Sequence, residues 1–431
     1  MKEDFLHFLW EYGLFDQSQL ATTTGENIEI LTPGQHNTDA GPDFFNAKIK
    51  IGGTLWAGNV EIHTRASDWQ RHRHNEDKAY NNVILHVVKE NDKPVLSTGG
   101  LPLATFVMRY NPQLEARYAA LQQSVEWVPC GKDAAQADLF RVKHFLSRVL
   151  VERLERKAQQ LYEALNATHN NWHEAFYRLL FRTFGFGVNA APFEWLAKAT
   201  PFAAIGKQRH SLLQVEALLF GQAGMLAGEA KDDYQRALQK EYAFLQIKFS
   251  LQPLEAHVWK FLRLRPSNFP TVRIAQLAML LFRSADLIDK MLAFHTADDL
   301  YKLFGVQASA YWEEHFTFGN ISRKIPKTIG TTSVQRMITN LVVPFLFAYG
   351  RRQTNEALCE KAIELLETLP PEKNHITNGW EETGMKLGSA FYTQALIQLK
   401  TDYCNNRQCL KCGIGVILLQ KELHMNPKTK Q

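Results

Sequence analysis

No stretch of about twenty residues in this 431-residue sequence is free of charge, so no membrane-spanning helix is expected. Cysteine is scarce: five residues, an odd number, argue against a disulfide framework and for a reducing compartment, read here as the cytoplasm. Met1-Lys2-Glu3-Asp4 leads into an amphipathic stretch rather than the apolar core of a secretory signal. Glycine (25) and proline (16) are too few for a collagenous or low-complexity chain. Neither Gly185-Phe186-Gly187 nor Gly221-Gln222-Ala223-Gly224 has the lysine or the preceding strand of a phosphate loop, and no H-E-x-x-H zinc motif occurs. What is present is ordinary globular chemistry. Nine Trp, 13 Tyr and 27 Phe exclude a disordered chain, and the length suggests two or three domains.

Charge is unevenly spread. Residues 1–110 carry 10 basic and 14 acidic side chains, net −4, which leaves +9 for the remainder. Hydrophobic periodicity changes in the same region. Residues 4–15 have helical spacing. Strand-like runs follow at Glu26–Leu31, Phe44–Ile51 and Leu55–Thr64, with a hairpin signal at Gly52-Gly53. Ser67 is placed to cap a helix reaching Tyr80, and Val83–Val88 reads as a buried strand, with one or two more strands over 94–110. Beyond Asp133 the period becomes helical, over 137–165, 172–186, 211–228, 232–249, 271–292, 331–349, 355–369 and 380–400. The expected fold is α+β, a mixed sheet with flanking helices over residues 1–120, followed by a large all-α region over 121–431.

Three pieces of the first region carry chemistry: Gly41-Pro42-Asp43-Phe44, then Asn59-Val60-Glu61-Ile62-His63, then His72, His74 and Asp77. Residues i and i+2 of a strand share a face, so Glu61 and His63 point the same way, and Val60 and Ile62 point oppositely into a core. Counting outward from the Gly52-Gly53 turn brings Asp43 beside Glu61–His63. Two carboxylates and an imidazole then suit a divalent cation, Mg²⁺ or Mn²⁺, that polarises a phosphoryl oxygen and activates water. Helical spacing turns His72 and His74 in different directions, so one of them at most is expected at the site. His72 and Asp77 are candidates to support the ligands, and His86, in an apolar strand, reads as a core histidine.

This pattern of Pro42-Asp43, Val60-Glu61-Ile62-His63, a helix and an apolar strand resembles the PD-(D/E)XK nuclease-like superfamily, over roughly residues 4–90. The resemblance implies a restriction-endonuclease-like core and metal-dependent phosphodiester hydrolysis on DNA or RNA. It implies catalytic roles for Asp43, Glu61 and His63, with Glu11 as an added acidic ligand. His63 stands where that superfamily has lysine, so either it acts as a base or ligand or the site only binds. A catalytically inactive nucleic-acid-binding or scaffold protein and a small-substrate metallohydrolase fit the same residues. The chain is also similar, over nearly its full length, to a family of long bacterial proteins of unknown function. The shared segments run from Pro33-Gly34 through Asn37, Gly41-Pro42-Asp43-Phe44, Gly58–His63 and Ser67-Asp68-Trp69 to the Tyr403-Cys404…Cys409…Cys412 ending.

Cys404, Cys409 and Cys412 form a tight trio that looks like a ligand set for Zn²⁺ or an iron–sulfur cluster, each wanting four ligands. Cys130, in a Pro-Cys-Gly turn, is the best fourth ligand, and Cys359 reads as core. One early and three late cysteines are similar to the iron–sulfur staple of some nucleases of the same superfamily, although the late spacing differs. Arg263, Arg265 and Arg273 flank a Pro-Ser-Asn-Phe-Pro loop and are candidates for contact with a nucleic-acid backbone.

Overall fold

The computed structural model describes residues 3–97, 99–386 and 388–421. It combines a mixed sheet with many helices and divides into two compact units. The first joins Met1–Val142 to Lys400–Gln431, and the second is Lys143–Leu399. The division expected after residue 120 instead falls inside the long helix Leu139–Asn166, and the cysteine-bearing segment returns to the first unit. Among the described residues no helix is long and apolar enough to cross a membrane.

The first unit opens with helix α1 (Glu3–Glu11), whose Phe5, Leu6, Phe8, Leu9 and Trp10 are all buried. Strands β1 (Ile28–Thr32), β2 (Gln35–His36), β3 (Phe44–Ile51), β4 (Thr54–Arg65), β5 (Val83–Glu90) and β6 (Thr105–Val107) form one sheet in the order β1-β3-β4-β5-β6, with β2 also on β3. Gly52 and Gly53 both take positive φ, +58° and +86°. That pair of conformations makes a two-residue hairpin turn that other residues resist. β1, β3 and β4 pair antiparallel, and β4, β5 and β6 pair parallel. Gly58 lets β4 and β5 meet, because a Cβ there would lie 2.4 Å from Ile84 Cγ2 and 2.6 Å from the Asn82 carbonyl.

The helix expected from Ser67 to Tyr80 is two short pieces, α2 (Asp68–Arg71) and a 3₁₀ turn at Lys78–Tyr80. After β6 comes α3 (Pro112–Gln123), capped by the Asn111 side chain. Val60 and Ile62 enter the main core with α1, Leu85, Val87 and Leu114. Val416 and Leu419, from the helix Gly413–Gln420, belong to the same core. The first unit is therefore discontinuous in sequence and incomplete without residues beyond 400.

The second unit is helical, with segments including Trp172–Phe184, Ala190–Ala199, Leu212–Gln222, Asp233–Phe249, Pro270–Arg283, Val343–Arg352, Glu356–Thr368 and Ala390–Gln398. The helix expected over 271–292 breaks at Ser284. Its described strands are the two-stranded ribbon His315–Thr317 and Asn320–Ile321.

Leu419 is 1 % exposed, within a core supplied mainly by residues three hundred positions earlier. Leu419→Ala is expected to destabilise the first unit by about 2–5 kcal/mol, the usual cost of emptying a buried leucine site. Urea unfolding followed through the fluorescence of Trp10 and Trp69 checks this, and an unchanged midpoint would contradict the assigned packing.

Candidate metal centre

β4 places Glu61 and His63 on the face opposite Val60 and Ile62. Both are buried, with 4 % and 1 % exposure. β3 enters beside them in the register Phe44↔Val60, and the pairing then slips between Phe44 and Ala47, where Asn46 takes φ +57°. This bulge re-aims the start of β3, a common use of bulges beside functional sites. Asp43, just before β3, meets Glu61 as expected. The Asp43 N–H donates to Glu61 Oε2 (3.1 Å), and Asp43 Oδ2 accepts the Ile62 N–H (2.8 Å). Asn37 holds the loop in place. Its Nδ2 donates to the carbonyls of Asp39 and Pro42 (both 3.0 Å), and its backbone N–H donates to the Asp43 carbonyl (2.7 Å).

The histidines converge more fully than helical spacing allows. α2 ends at Arg71, and Arg73 takes a left-handed φ of +61°. The chain therefore turns between His72 and His74, and both imidazoles reach His63. His72 Nδ1 lies 3.2 Å from His63 Nε2. His74 Nε2 lies 3.2 Å from Glu61 Oε1, and His63 Nε2 lies 3.4 Å from the same oxygen. One nitrogen from each of His63, His72 and His74 falls within 4.8 Å of the others. His86, paired with Glu61 in the β4–β5 register, sets its Nε2 2.9 Å from His63 Nδ1. Tyr80 stacks on His74 with ring centroids 3.8 Å apart.

The remaining candidates stand as follows. Asp77 is exposed and caps the 3₁₀ turn by accepting the Ala79 N–H, so it fixes the element carrying Tyr80. Glu11 is exposed at the end of α1. The α1 residue that meets Asp43 is His7, with Nε2 3.3 Å from Asp43 Oδ2. Arg263 and Arg265 are exposed in the helical unit. Arg273 is buried there, bonded to Gln276 and Asn268 with its guanidinium over the Phe186 ring, so it is committed internally.

Burial governs the electrostatics. It pushes the Glu61 carboxyl up to about 9, helped by the neighbouring Asp43 charge. It pushes His63 down to about 2 and His86 down to about 3, with nearby imidazoles adding to both, and it lowers His74. Burial alone lowers His7, but its contact with Asp43 outweighs this and raises it. Burial therefore favours the neutral form of His63, His74 and His86, the form that ligates metals, beside a carboxyl lacking any lysine or arginine ion pair among the described residues. His74 Nε2 and His86 Nδ1 are buried without an aligned hydrogen bond, although His74 Nε2 stands close to Glu61. A cleft of about 540 Å³ lined by Glu3, Asp4, Thr64, Arg65, Asp68, Arg71 and His72 reaches the cluster from its exposed side.

These shifts fix the pH dependence of the metal-free protein. Between the ordinary carboxyl range and about 9, folded Glu61 keeps a proton that the unfolded chain has lost, so stability falls as pH rises through that window. Below the ordinary imidazole range the unfolded chain protonates histidines that folded His63 and His86 leave neutral, so stability falls on acidification. Chemical denaturation of chelator-treated protein is expected to give maximal stability near pH 6–7. Glu61→Gln should flatten the alkaline limb and leave the acid limb.

No curated protein and no solved structure matches the chain. One family model, described as "Protein of unknown function (DUF2851)", matches residues 3–375, and the chain belongs to that family.

Proposed function

We propose that this chain is a metal-dependent hydrolase of phosphate esters, with the phosphodiester bonds of DNA or RNA as the leading substrate class. The observation that carries this reading is the spacing of the donor atoms. A tetrahedral ion with metal–nitrogen distances of about 2.0–2.1 Å separates its ligand atoms by about 3.3 Å. The contacts of Glu61 Oε1 with His63 and His74, and of His63 with His72, are 3.4, 3.2 and 3.2 Å.

Three imidazoles and a carboxylate suit Mn²⁺, Fe²⁺ or Zn²⁺ better than the Mg²⁺ that two carboxylates would favour. Such an ion supplies Lewis acidity and lowers the pKa of a bound water. The chain's residues do the rest. His63, His72, His74 and Glu61 would hold such an ion, and a His63 ligating through Nε2 would donate from Nδ1 to His86 Nε2, which would fix its tautomer and ring orientation. Asp43, partly exposed beside Glu61, is placed to take a proton from the attacking water. Arg65 and Arg71 line the mouth in ion pairs with Glu90 (3.4 Å) and Asp68 (2.9 Å), with which an anionic substrate would compete.

The order of elements, with Asp43 opening β3 and Glu61 on β4, supports a nuclease-like reading of the same site. His63 is better suited to ligate than to serve as a surrogate lysine, because it is buried among other imidazoles and burial disfavours its charged form. A second reading, hydrolysis of a small phosphorylated substrate, is favoured by the mouth itself. Glu3, Asp4 and Asp68 stand beside the two arginines and suit a compact anion better than a long polyanion.

Assays on DNA, RNA and bis(p-nitrophenyl) phosphate with Mn²⁺, Zn²⁺ and Mg²⁺ separate these readings. Activity is expected with Mn²⁺ or Zn²⁺ and should fall by about 10²–10⁴-fold or more in Glu61→Gln, the range that single catalytic groups supply. His63→Lys should be equally inactive, since it places an ammonium among imidazoles. If wild-type protein hydrolyses none of these substrates, and calorimetry finds no metal binding that His74→Ala removes, the hydrolase reading fails. A silent nucleic-acid-binding role then leads.

A further inference from the structure

The first unit keeps Cys130, Cys404, Cys409 and Cys412 as free thiols, the last three buried. The helical unit holds a site of a different kind, built around Arg273. This side chain, on the helix Pro270–Arg283, is 6 % exposed. Its hydrogen bonds go to neutral groups. Nη1 donates to Gln276 Oε1 (2.9 Å) and Nη2 to Asn268 Oδ1 (2.7 Å), with Ser333 Oγ at 3.4 Å. Nε is buried without a hydrogen-bond partner. Burial lowers the guanidinium to about 10, with no neighbouring carboxylate to oppose it. A buried cation is costly unless an opposite charge is set beside it.

Arg273 lines a cavity of about 120 Å³ together with Asn268, Ser333, Arg336 and Phe186, and no Asp or Glu lines it. The turn after the helix Trp172–Phe184 shapes its wall. Gly185 packs on Ala190, where a Cβ would lie 2.4 Å from the Ala190 Cα, and Phe186 takes a left-handed φ of +43°. Such a conformation is strained for a bulky residue, and strain of this kind collects at binding sites. Here it lays the Phe186 ring over Arg273, with the guanidinium 4.2 Å from the ring centroid. Arg336, on Thr331–Met337, is exposed, and its Nη2 lies 3.4 Å from the Lys373 carbonyl. Phe186 and Arg336 also line a larger cavity of about 470 Å³, so the two cavities adjoin. Leu161, Leu179, Leu341 and Phe345 give the larger one an apolar wall, and its one carboxylate, Glu372, accepts from Gln394 Nε2 (2.7 Å).

We infer that the cavity between Arg273 and Arg336 binds the phosphoryl group of a small organic phosphate, whose carbon skeleton occupies the adjoining apolar cavity. Two guanidiniums and a hydroxyl match the oxygens of a tetrahedral dianion, and the planar fork of arginine suits them better than an ammonium would. The small volume takes one terminal phosphoryl group and not the run of phosphates in a nucleic-acid strand. The site shares no residue with the histidine centre and does not rest on the hydrolase reading.

Chelator-treated full-length protein is titrated by calorimetry with phenyl phosphate, inorganic phosphate, phenol and a short DNA oligonucleotide. Phenyl phosphate is expected to bind about tenfold or more tighter than inorganic phosphate, because its ring buries apolar surface, and phenol is expected not to bind. The thermal midpoint should rise with phenyl phosphate concentration, as it does for any ligand of the native state. Arg273→Gln and Arg336→Gln should each weaken binding by about tenfold or more, the usual effect of losing a hydrogen bond to a charged group. Arg336 is exposed, so Arg336→Gln keeps the test open should Arg273→Gln fail to fold. Undiminished phenyl phosphate binding in folded Arg336→Gln overturns the inference, since the anion then binds elsewhere. Wild-type protein that binds neither phosphate, or binds the oligonucleotide and not phenyl phosphate, overturns it too. Equal affinity for the two phosphates overturns the place given to the larger cavity.

Discussion

A carboxyl group buried in a sheet without a lysine or arginine ion pair is costly, and the organisation around Glu61 answers that cost. One oxygen accepts the Asp43 N–H, and the other faces His63 and His74. To bring these partners in, β3 is bulged at its start, the 37–43 loop is clamped by Asn37, and α2 is cut to a single turn. Each device is a local departure from regular structure, and each ends at the same carboxyl. Regular strands and a longer helix would bury Glu61 with nothing to meet it.

The histidines form a chain along one face of the sheet. His72 touches the cleft, His63 lies beneath it, and His86 lies beneath His63 on the adjoining strand. Such a chain fixes tautomers in sequence, because each ring nitrogen that donates obliges the next to accept.

Much of this was legible in the sequence. The change of period near Asp133 separates the sheet from the helices, and the two-residue repeat puts Glu61 and His63 on one face. The hairpin count from Gly52-Gly53 brings Asp43 to them, although it passes over the bulge. What was hidden depends on conformations that sequence patterns do not encode. His74 joins the site because Arg73 is left-handed, where helical spacing sends it away. His86 joins through the parallel β4–β5 register, which has no hairpin from which to count. His7 occupies the α1 position that faces Asp43, where the family resemblance pointed to Glu11. The return of residues 400–421 to the first unit was foreshadowed only by the pairing of Cys130 with the late cysteines. Hydrophobic periodicity marks which residues are buried and is silent about which unit buries them.

The discontinuity of the first unit also has a meaning in time. A ribosome that has finished the sheet and α3 must add the helical unit before Leu410, Val416 and Leu419 become available to cover the remaining core. At about 5–20 residues per second, that interval is on the order of tens of seconds. Through it the sheet waits with part of its apolar face uncovered, while the helical unit gains the last of its own residues. The unit that holds the chain's beginning is thus the later of the two to have all its residues.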